Sequence, residues 1–327
     1  MARLNIAVVG AGRIGQIHAR NVAAHSAAQL AGITDPDHAA AERLAQATGC
    51  SVISLDAAFQ SDAVLICSPT TTHADYIERA ATAGKPVFCE KPIDLSAARV
   101  RACLDAVRRA GIPLMVGFNR RFDRNFASLK HSLDEGEIGT LELLTITSRD
   151  PSPPPLGYIA TSGGLFRDMM IHDLDLARHF LGEEPVELFA AASSLVDPAI
   201  GAAGDVDTAV VALKTASGRL CQISNSRRAT YGYDQRIELH GSKGLLRAGN
   251  MTATTVERAD GSGFHTDPAL PFFLERYAEA YRAELDAFIG AVSGGTAPQP
   301  DGDDGLRALL LADAATESAR TGQAVKV

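Results

Sequence analysis

Three side chains stand where a proton could be moved. Lys91 lies between Glu90 and Pro92, directly after the apolar run Val87–Cys89. Proline drives the residue before it out of the helical region, so the lysine is expected to be held extended at the C-terminal edge of a strand, where ligands of doubly wound sheets bind. An ammonium group fixed there can polarise a hydroxyl. Asp168 and His172 are four residues apart in Gly163-Gly164-Leu-Phe-Arg-Asp168-Met-Met-Ile-His172-Asp-Leu-Asp175, a spacing that puts both on one face of a helix. A carboxylate beside an imidazole selects its tautomer and stabilises the imidazolium, as a general base taking an alcohol proton near neutral pH requires. Asp175 and His179 repeat the spacing one turn further on, and a solvated polar stripe would do the same. Spacing alone does not separate the two pairs.

A second constellation fits a dinucleotide. Gly10-Ala-Gly12-Arg13-Ile14-Gly15 follows a strand-like run and opens a helical one. The first glycine permits a tight turn, the second lets backbone N–H groups approach a pyrophosphate, and the third allows close helix–strand packing, with the helix dipole adding its positive end. Asp35 follows at about the distance of the ribose-binding acid. A carboxylate there accepts from the ribose hydroxyls and repels a 2′-phosphate, which favours NAD over NADP, although Arg13 leaves some NADP use open. Standing before Pro36, Asp35 could instead only cap the next helix.

These groups need a frame, and the first third of the chain has the rhythm of repeated βα units on a parallel sheet. Strands are expected near Asn5–Val9, Gln29–Thr34, Ala63–Cys67, Val87–Cys89 and Pro113–Gly117, with helices over Ile14–His25, Pro36–Thr48, His73–Ala83 and Ser96–Ala110. Their continuous Val, Ile and Leu content suits a sheet covered on both faces. Beyond Arg120 the pattern changes. A helix over Phe126–Glu135, the loop Asp150-Pro-Ser-Pro-Pro-Pro155 and one helix from Leu165 to Leu181 precede an antiparallel meander over Val186–Glu257. Two helices, Pro271–Val292 and Asp304–Thr321, flank a Gly/Pro-rich linker. At 327 residues the chain is expected to form an α/β domain over 1–121 and an α+β domain over 122–327, the last helices being candidates to pack back on the first.

The hydrophobic fraction of 46% and charged fraction of 21% fit a globular chain with apolar surface to bury. A formal charge of -8 without a long Lys/Arg cluster argues against nucleic acid or an anionic membrane as the main partner and for a small molecule. Five scattered cysteines with no Cys-x-x-Cys pair suit neither a disulfide framework nor a structural zinc site, and no metal is expected. The N-terminus has no signal-peptide pattern and no apolar run approaches the ~18–20 residues of a membrane span, so the cytoplasm is the expected compartment.

The glycine turn, Glu90-Lys91-Pro92, Gly117-Phe-Asn-Arg-Arg121-Phe-Asp123 and Asp168-x-x-x-His172-Asp-Leu-Asp175 together resemble the glucose-fructose oxidoreductase/inositol dehydrogenase/rhizopine catabolism (Gfo/Idh/MocA) family, over essentially the whole chain. Tyr231-Gly-Tyr233-Asp-Gln-Arg-Ile-Glu followed by Gly241-Ser-Lys-Gly244, and Ser148-Arg-Asp150-Pro, resemble its inositol dehydrogenase branch. The resemblance implies an N-terminal Rossmann domain, a second domain with an open, mainly antiparallel sheet, and commonly a homotetramer built through that sheet. It makes His172 the general base, Asp168 its partner and Lys91 the group that polarises the substrate hydroxyl and assists the proton relay, and it implies a cis Lys91–Pro92 bond. On the cofactor side it adds Ser68-Pro69-Thr70 and His73, together with Glu90, Lys91 and Arg121, to the turn residues Gly10, Gly12, Arg13, Ile14, Gly15 and to Asp35. On the substrate side it adds Arg121, Asp150, Tyr231, Tyr233 and Tyr281, with core packing as the competing role of the tyrosines. The implied activity is NAD-dependent oxidation of a secondary hydroxyl of a cyclic polyol, first of all myo- or scyllo-inositol to the inosose. A pyranose dehydrogenase acting at C1 of a glucose-type sugar is the alternative. A non-catalytic NAD-binding regulator is a third reading, but it would not need Lys91, Asp168 and His172.

Overall fold

The computed structural model describes residues 3–327, which divide into two compact units: residues up to 119 together with 280–309, and residues 120–279 together with 310–327. The first unit begins β1 (Leu4–Val9), α1 (Arg13–Ala24), β2 (Ala28–Thr34), α2 (His38–Thr48), the single turn α3 (Leu55–Ala58), β3 (Ala63–Ile66), α4 (His73–Thr82), β4 (Val87–Glu90), α5 (Ala97–Ala110) and β5 (Leu114–Gly117). Its five strands form one parallel sheet in the order β2-β1-β3-β4-β5. All four residues of β3 are buried, as are Val87–Cys89 of β4; that is why these strands read as unbroken apolar runs. The strand order reverses at β1, between β2 and β3, which is where doubly wound sheets open a crevice. The C-terminal ends of β1, β3 and β4 therefore carry Gly10, Ser68 and Lys91 along one edge.

The second unit contains α6 (Arg124–Asp134), β6 (Leu141–Arg149), α7 (Leu156–Ser162), α8 (Gly164–Asp168), α9 (Ile171–Leu181), β7 (Pro185–Ser193), α10 (Pro198–Ala202), β8 (Thr208–Thr215), β9 (Leu220–Ser226), β10 (Asp234–Gly241), β11 (Gly244–Ala248), the hairpin β12 (Glu257–Asp260) and β13 (Gly263–Thr266), and α11 (Phe273–Arg276). The chain then runs through α12 (Ala278–Gly294), nearly all of it in the first unit, and α13 (Gly302–Thr321), within which the division falls, to β14 (Val325–Lys326). Among the described residues no helix is long and apolar enough to cross a membrane.

Two expectations for the second unit need correction. The sheet is mainly antiparallel but is not one meander: its order is β11-β10-β6-β9-β8-β7-β14, with β6 inserted between β9 and β10, parallel to the former and antiparallel to the latter. Strand β6 escapes a period-two reading because its register with β10 shifts between His240 and Gly241, so that Glu142 and Leu143 both face solvent. The helix expected over Leu165–Leu181 is two helices. The amides of Met169 and Met170 both donate to the Leu165 carbonyl, at 3.0 and 2.9 Å, and the second of these bonds spans five residues, a widened turn of the kind found at functional sites. Asp168 ends α8 and His172 is the second residue of α9, so the pair straddles that turn instead of lying on a regular four-residue repeat.

One face of the seven-stranded sheet supplies the core, with Leu144 and Ile146 of β6, Val211 and Leu213 of β8, Cys221 and Ile223 of β9, and Ile237 and Leu239 of β10 all buried; α9 packs on β6. The opposite face alternates outward.

Candidate functional site

In the first unit the glycine turn is shaped by steric exclusion. A Cβ on Gly10, whose φ is 108°, would lie 2.6 Å from the Cys67 backbone, and one on Gly15 would lie 1.9 Å from the Gly10 carbonyl oxygen. A Cβ on Gly12 would meet nothing within 4 Å, and Gly12 caps α1 without a side-chain bond. Such a turn fits a pyrophosphate. Arg13 is exposed and Ile14 half-buried beside it. Asp35 accepts from the amide of Ala11 at 2.6 Å and from that of Asp37 at 2.8 Å. The capping role belongs instead to Asp37, which accepts from the Ala40 amide at 3.0 Å. Asp35 thus places its carboxylate against the glycine turn, where a ribose diol attached to that pyrophosphate fits. Asp35→Ala is expected to reduce the NAD/NADP ratio of kcat/KM by about tenfold or more, the size of one lost charge-assisted hydrogen bond pair; an unchanged ratio would remove Asp35 from ribose recognition.

Further along the same edge, Ser68 shares a 2.7 Å hydrogen bond with Thr72, and Thr70 opens the turn between them. His73 is buried, with Nδ1 2.8 Å from the Pro92 carbonyl oxygen and Nε2 2.7 Å from that of Ser68. Burial lowers its pKa, against the pull of those two carbonyls. The imidazole thereby links the loop after β3 to the loop that carries Lys91. Lys91 is half-buried, and its bond to Pro92 is cis, as the family resemblance implies.

Glu90 belongs to a cluster that the sequence did not reveal. His18 Nε2 lies 2.6 Å from Glu90 Oε1 and 3.9 Å from Glu284 Oε1, and the three side chains bring ligand-type atoms within 4.8 Å of one another. Two ligands of one small metal ion stand about 3.3 Å apart, so the 2.6 Å contact is a direct hydrogen bond. Glu284 is fully buried and neither carboxylate oxygen has a hydrogen-bond partner among the described residues. Burial, then the charge of Glu90, raises its pKa well above the usual carboxylate range. The absence of a Cβ on Gly117 leaves room for the Glu90 carboxyl group. Tyr281 is buried edge-on against His18, ring centroids 5.7 Å apart, which is a packing position. The available signal was a glutamate on the apolar stripe of α12, whose other buried members include Leu285, Phe288 and Ile289.

In the second unit Asp168 accepts from the Tyr158 hydroxyl at 3.0 Å and faces Arg227 at 3.8 Å. His172 is half-buried at the start of α9. Asp173 pairs with Arg120 and accepts from Asn225 at 2.9 Å; Arg120 also donates to Ser148, which bonds Gln235, which in turn accepts from Tyr277 at 3.2 Å. Arg121 grips Asp175 with two bonds of 2.8 and 2.6 Å. Asp175 is 1% exposed, so it is not part of a solvated stripe, and His179 rests against the Phe180 ring. Asp150 is half-buried, and its amide donates to the Ser226 carbonyl. Burial pushes its carboxyl group up to about 6; Arg120 opposes the rise, Asp168 adds to it and Arg227 opposes it. Tyr233 is buried edge-on against Tyr277 and Phe272, again a packing position, whereas the exposed Tyr231 donates to Asp234 at 2.7 Å. Sequence reasoning missed Tyr158, Arg120, Asp173 and Arg227, because their partners lie far away in the chain or across loops.

Known proteins are similar to this chain. Residues 4–118 match the model of the Gfo/Idh/MocA oxidoreductase family's NAD-binding Rossmann fold, and residues 130–327 that of its C-terminal alpha/beta domain. The inositol 2-dehydrogenase of Rhizobium meliloti (strain 1021) is 56% identical over 314 residues, 95% of each chain. The crystal structure of a myo-inositol dehydrogenase from Corynebacterium glutamicum is similar with a TM-score of 0.95 at 46% identity over 99% of each chain. That of scyllo-inositol dehydrogenase from Lactobacillus casei, with bound NAD(H) and scyllo-inositol, has a TM-score of 0.92 at 30% identity, covering 99% of each chain. Because both parts of the chain match and the similarity runs along its whole length, the chain belongs to the Gfo/Idh/MocA family of NAD-binding oxidoreductases.

Proposed function

We propose that the chain oxidises a secondary hydroxyl of myo- or scyllo-inositol to the inosose, with NAD as the oxidant. The observation that carries this reading is the 56% identity to an inositol 2-dehydrogenase along 95% of the chain, in a sequence that carries Lys91, Asp168 and His172. NAD, when bound, accepts the hydride from the ring carbon. The rest falls to the protein. Gly10, Gly12, Gly15 and Asp35 hold the pyrophosphate and ribose, with Ser68 and Thr70 lining the same edge. Lys91 polarises the reacting hydroxyl, His172 takes its proton, and Asp168 stabilises the imidazolium that results. Arg121, fixed by Asp175, and Asp150 serve the substrate side. Residues 1–121, together with 280–309 of the first unit, act as the cofactor domain and the rest of 122–327 as the domain for substrate and assembly, in the cytoplasm. The test follows NADH absorbance with a panel of inositols and aldoses: turnover of inositols is expected. Turnover of aldoses alone would replace the substrate with a pyranose, and none with any polyol would leave an NAD-binding regulator.

The same reading includes a homotetramer assembled through the outward face of the seven-stranded sheet. Leu143, Phe189, Val210, Leu220 and Leu245 each expose 40–48% of their surface there. Leu245, His240, Leu143 and Leu220 are successive cross-strand neighbours on β11, β10, β6 and β9, so the apolar groups form a row instead of scattered single residues. A native mass of four chains is expected, and Leu143→Glu with Leu220→Glu should release smaller species; a monomeric wild type would reject this assembly.

A further inference from the structure

Two buried imidazoles end on the immediate neighbours of Lys91. His18 lies on α1, three residues beyond Gly15, and is fully buried. Its ring is walled by Phe88, centroids 4.9 Å apart, and by Tyr281. Nε2 stands 2.6 Å from Glu90 Oε1, whereas Glu284 Oε1 is 3.9 Å away, beyond hydrogen-bond reach. Glu90 closes β4 opposite Gly117 of β5, so the residue before Lys91 is held by its side chain as well as by the sheet. His73 opens α4 and is 2% exposed. Its Nδ1 lies 2.8 Å from the Pro92 carbonyl oxygen and its Nε2 2.7 Å from that of Ser68. Carbonyl oxygens only accept, so the ring donates to one of them when neutral and to both as the imidazolium. Lys91 and Pro92 themselves lie outside regular structure, and proline has no N–H to give. Side chains therefore take over from the ladder where the chain leaves β4. A buried, hydrogen-bonded histidine is usually a satisfied core group; what sets these two apart is that they bracket a single residue.

We propose that His18 and His73 are positioning residues for Lys91, clamping Glu90 before it and Pro92 after it. This rests on the role given above to Lys91. The clamp also has a direction. His18 belongs to the helix that starts at the glycine turn, and His73 follows the loop of Ser68 and Thr70, so each imidazole ties the lysine to a segment assigned to the dinucleotide. The base of the lysine is thereby fixed relative to the cofactor edge. A polarising charge works only where the reacting oxygen is, and a misplacement of about 1 Å costs on the order of a hundredfold in rate. A lysine carries its charge on a flexible four-carbon stem, and it gains precision from a backbone that does not move and from a supporting shell that locks it.

The test is kcat and KM at one pH, with NAD and whichever polyol the wild type oxidises, for His18→Leu and His73→Leu, each made in the wild type and in Lys91→Ala. Each leucine variant is expected to lower kcat by about tenfold or more in the wild type, with KM for the polyol little changed. In Lys91→Ala the same substitutions should cost less than about twofold, because the bonds act through a lysine that is no longer there. His18→Gln and His73→Gln keep a donor and should recover most of the loss. A leucine variant with a lowered Tm but wild-type kcat would make that histidine merely structural and overturn its part. Equal losses in both backgrounds would overturn the proposal, since the effect would then not pass through Lys91, and so would folded glutamine variants as slow as the leucine ones. If a leucine variant fails to fold, alanine at the same position removes the same bond without added bulk and decides by the same comparison. Wild-type turnover by Lys91→Ala would overturn the role of Lys91 itself, and with it this proposal. A slow Lys91→Ala with wild-type kcat in both leucine variants would overturn the clamp alone.

Discussion

His172→Ala is expected to lower kcat for inositol oxidation by about 10²–10⁴-fold, the range a positioned general base contributes. The alanine leaves no group in its place to accept the hydroxyl proton, and at neutral pH water is a poor substitute. Lys91→Ala should fall in the same range because the polarising charge is lost, and the double variant should fall by less than the product of the two factors, since both act on one proton transfer. His179→Ala, one turn further along α9 and packed against Phe180, is the control and should stay near wild type. NAD affinity, read by fluorescence quenching, should survive His172→Ala, because no cofactor contact is assigned to that side chain. Retention of more than a tenth of wild-type kcat in His172→Ala would place the base elsewhere.

The largest effect on stability is expected from Asp173→Ala. Arg120 and Asp173 are 4% and 0% exposed, and their ion pair anchors the chain Asn225, Ser148, Gln235 and Tyr277. The Arg120 guanidinium also lies 5.7 Å from the Tyr277 ring centroid. Removing one member of such a pair strands the other charge in a medium that cannot solvate it, at a cost of about 3–5 kcal/mol. In a unit of this size that corresponds to a fall in Tm on the order of 10 °C. Asp173→Asn keeps the shape and one acceptor and should lose less. Thermal melts followed by circular dichroism decide the matter: a shift of only a degree or two would mean that solvent or a rearranged neighbour takes over the carboxylate's role.

The first unit was legible because its determinants are local. Buried parallel strands show as unbroken apolar runs such as Ala63–Ile66, and Gly10 and Gly15 stand where a Cβ would strike backbone. Asp35 was ambiguous from sequence because an aspartate before Pro36 could itself cap the next helix, and only hydrogen bonds give that role to Asp37. In the second unit a single register shift at the start of β6 breaks the alternation that identifies a strand, and so hides the strand that joins the two parts of the sheet. Ion pairs were least legible. Arg120 with Asp173, Arg121 with Asp175, Arg227 with Asp168, and His18 with Glu90 and Glu284 are all set by tertiary approach, and a charged residue looks the same in a sequence whether it will be solvated or buried. The four-residue spacing of Asp168 and His172 does not carry the one-face argument made from it, since the helix that would have justified it is interrupted by a widened turn.

A crystal structure with NAD and myo-inositol bound tests the central claim most directly, because Lys91 and His172 belong to different units of the chain. The account predicts one inositol hydroxyl within about 2.6–3.2 Å of both the Lys91 ammonium and a His172 ring nitrogen, beside the nicotinamide. An inositol whose hydroxyl nearest the nicotinamide touches neither group would contradict it.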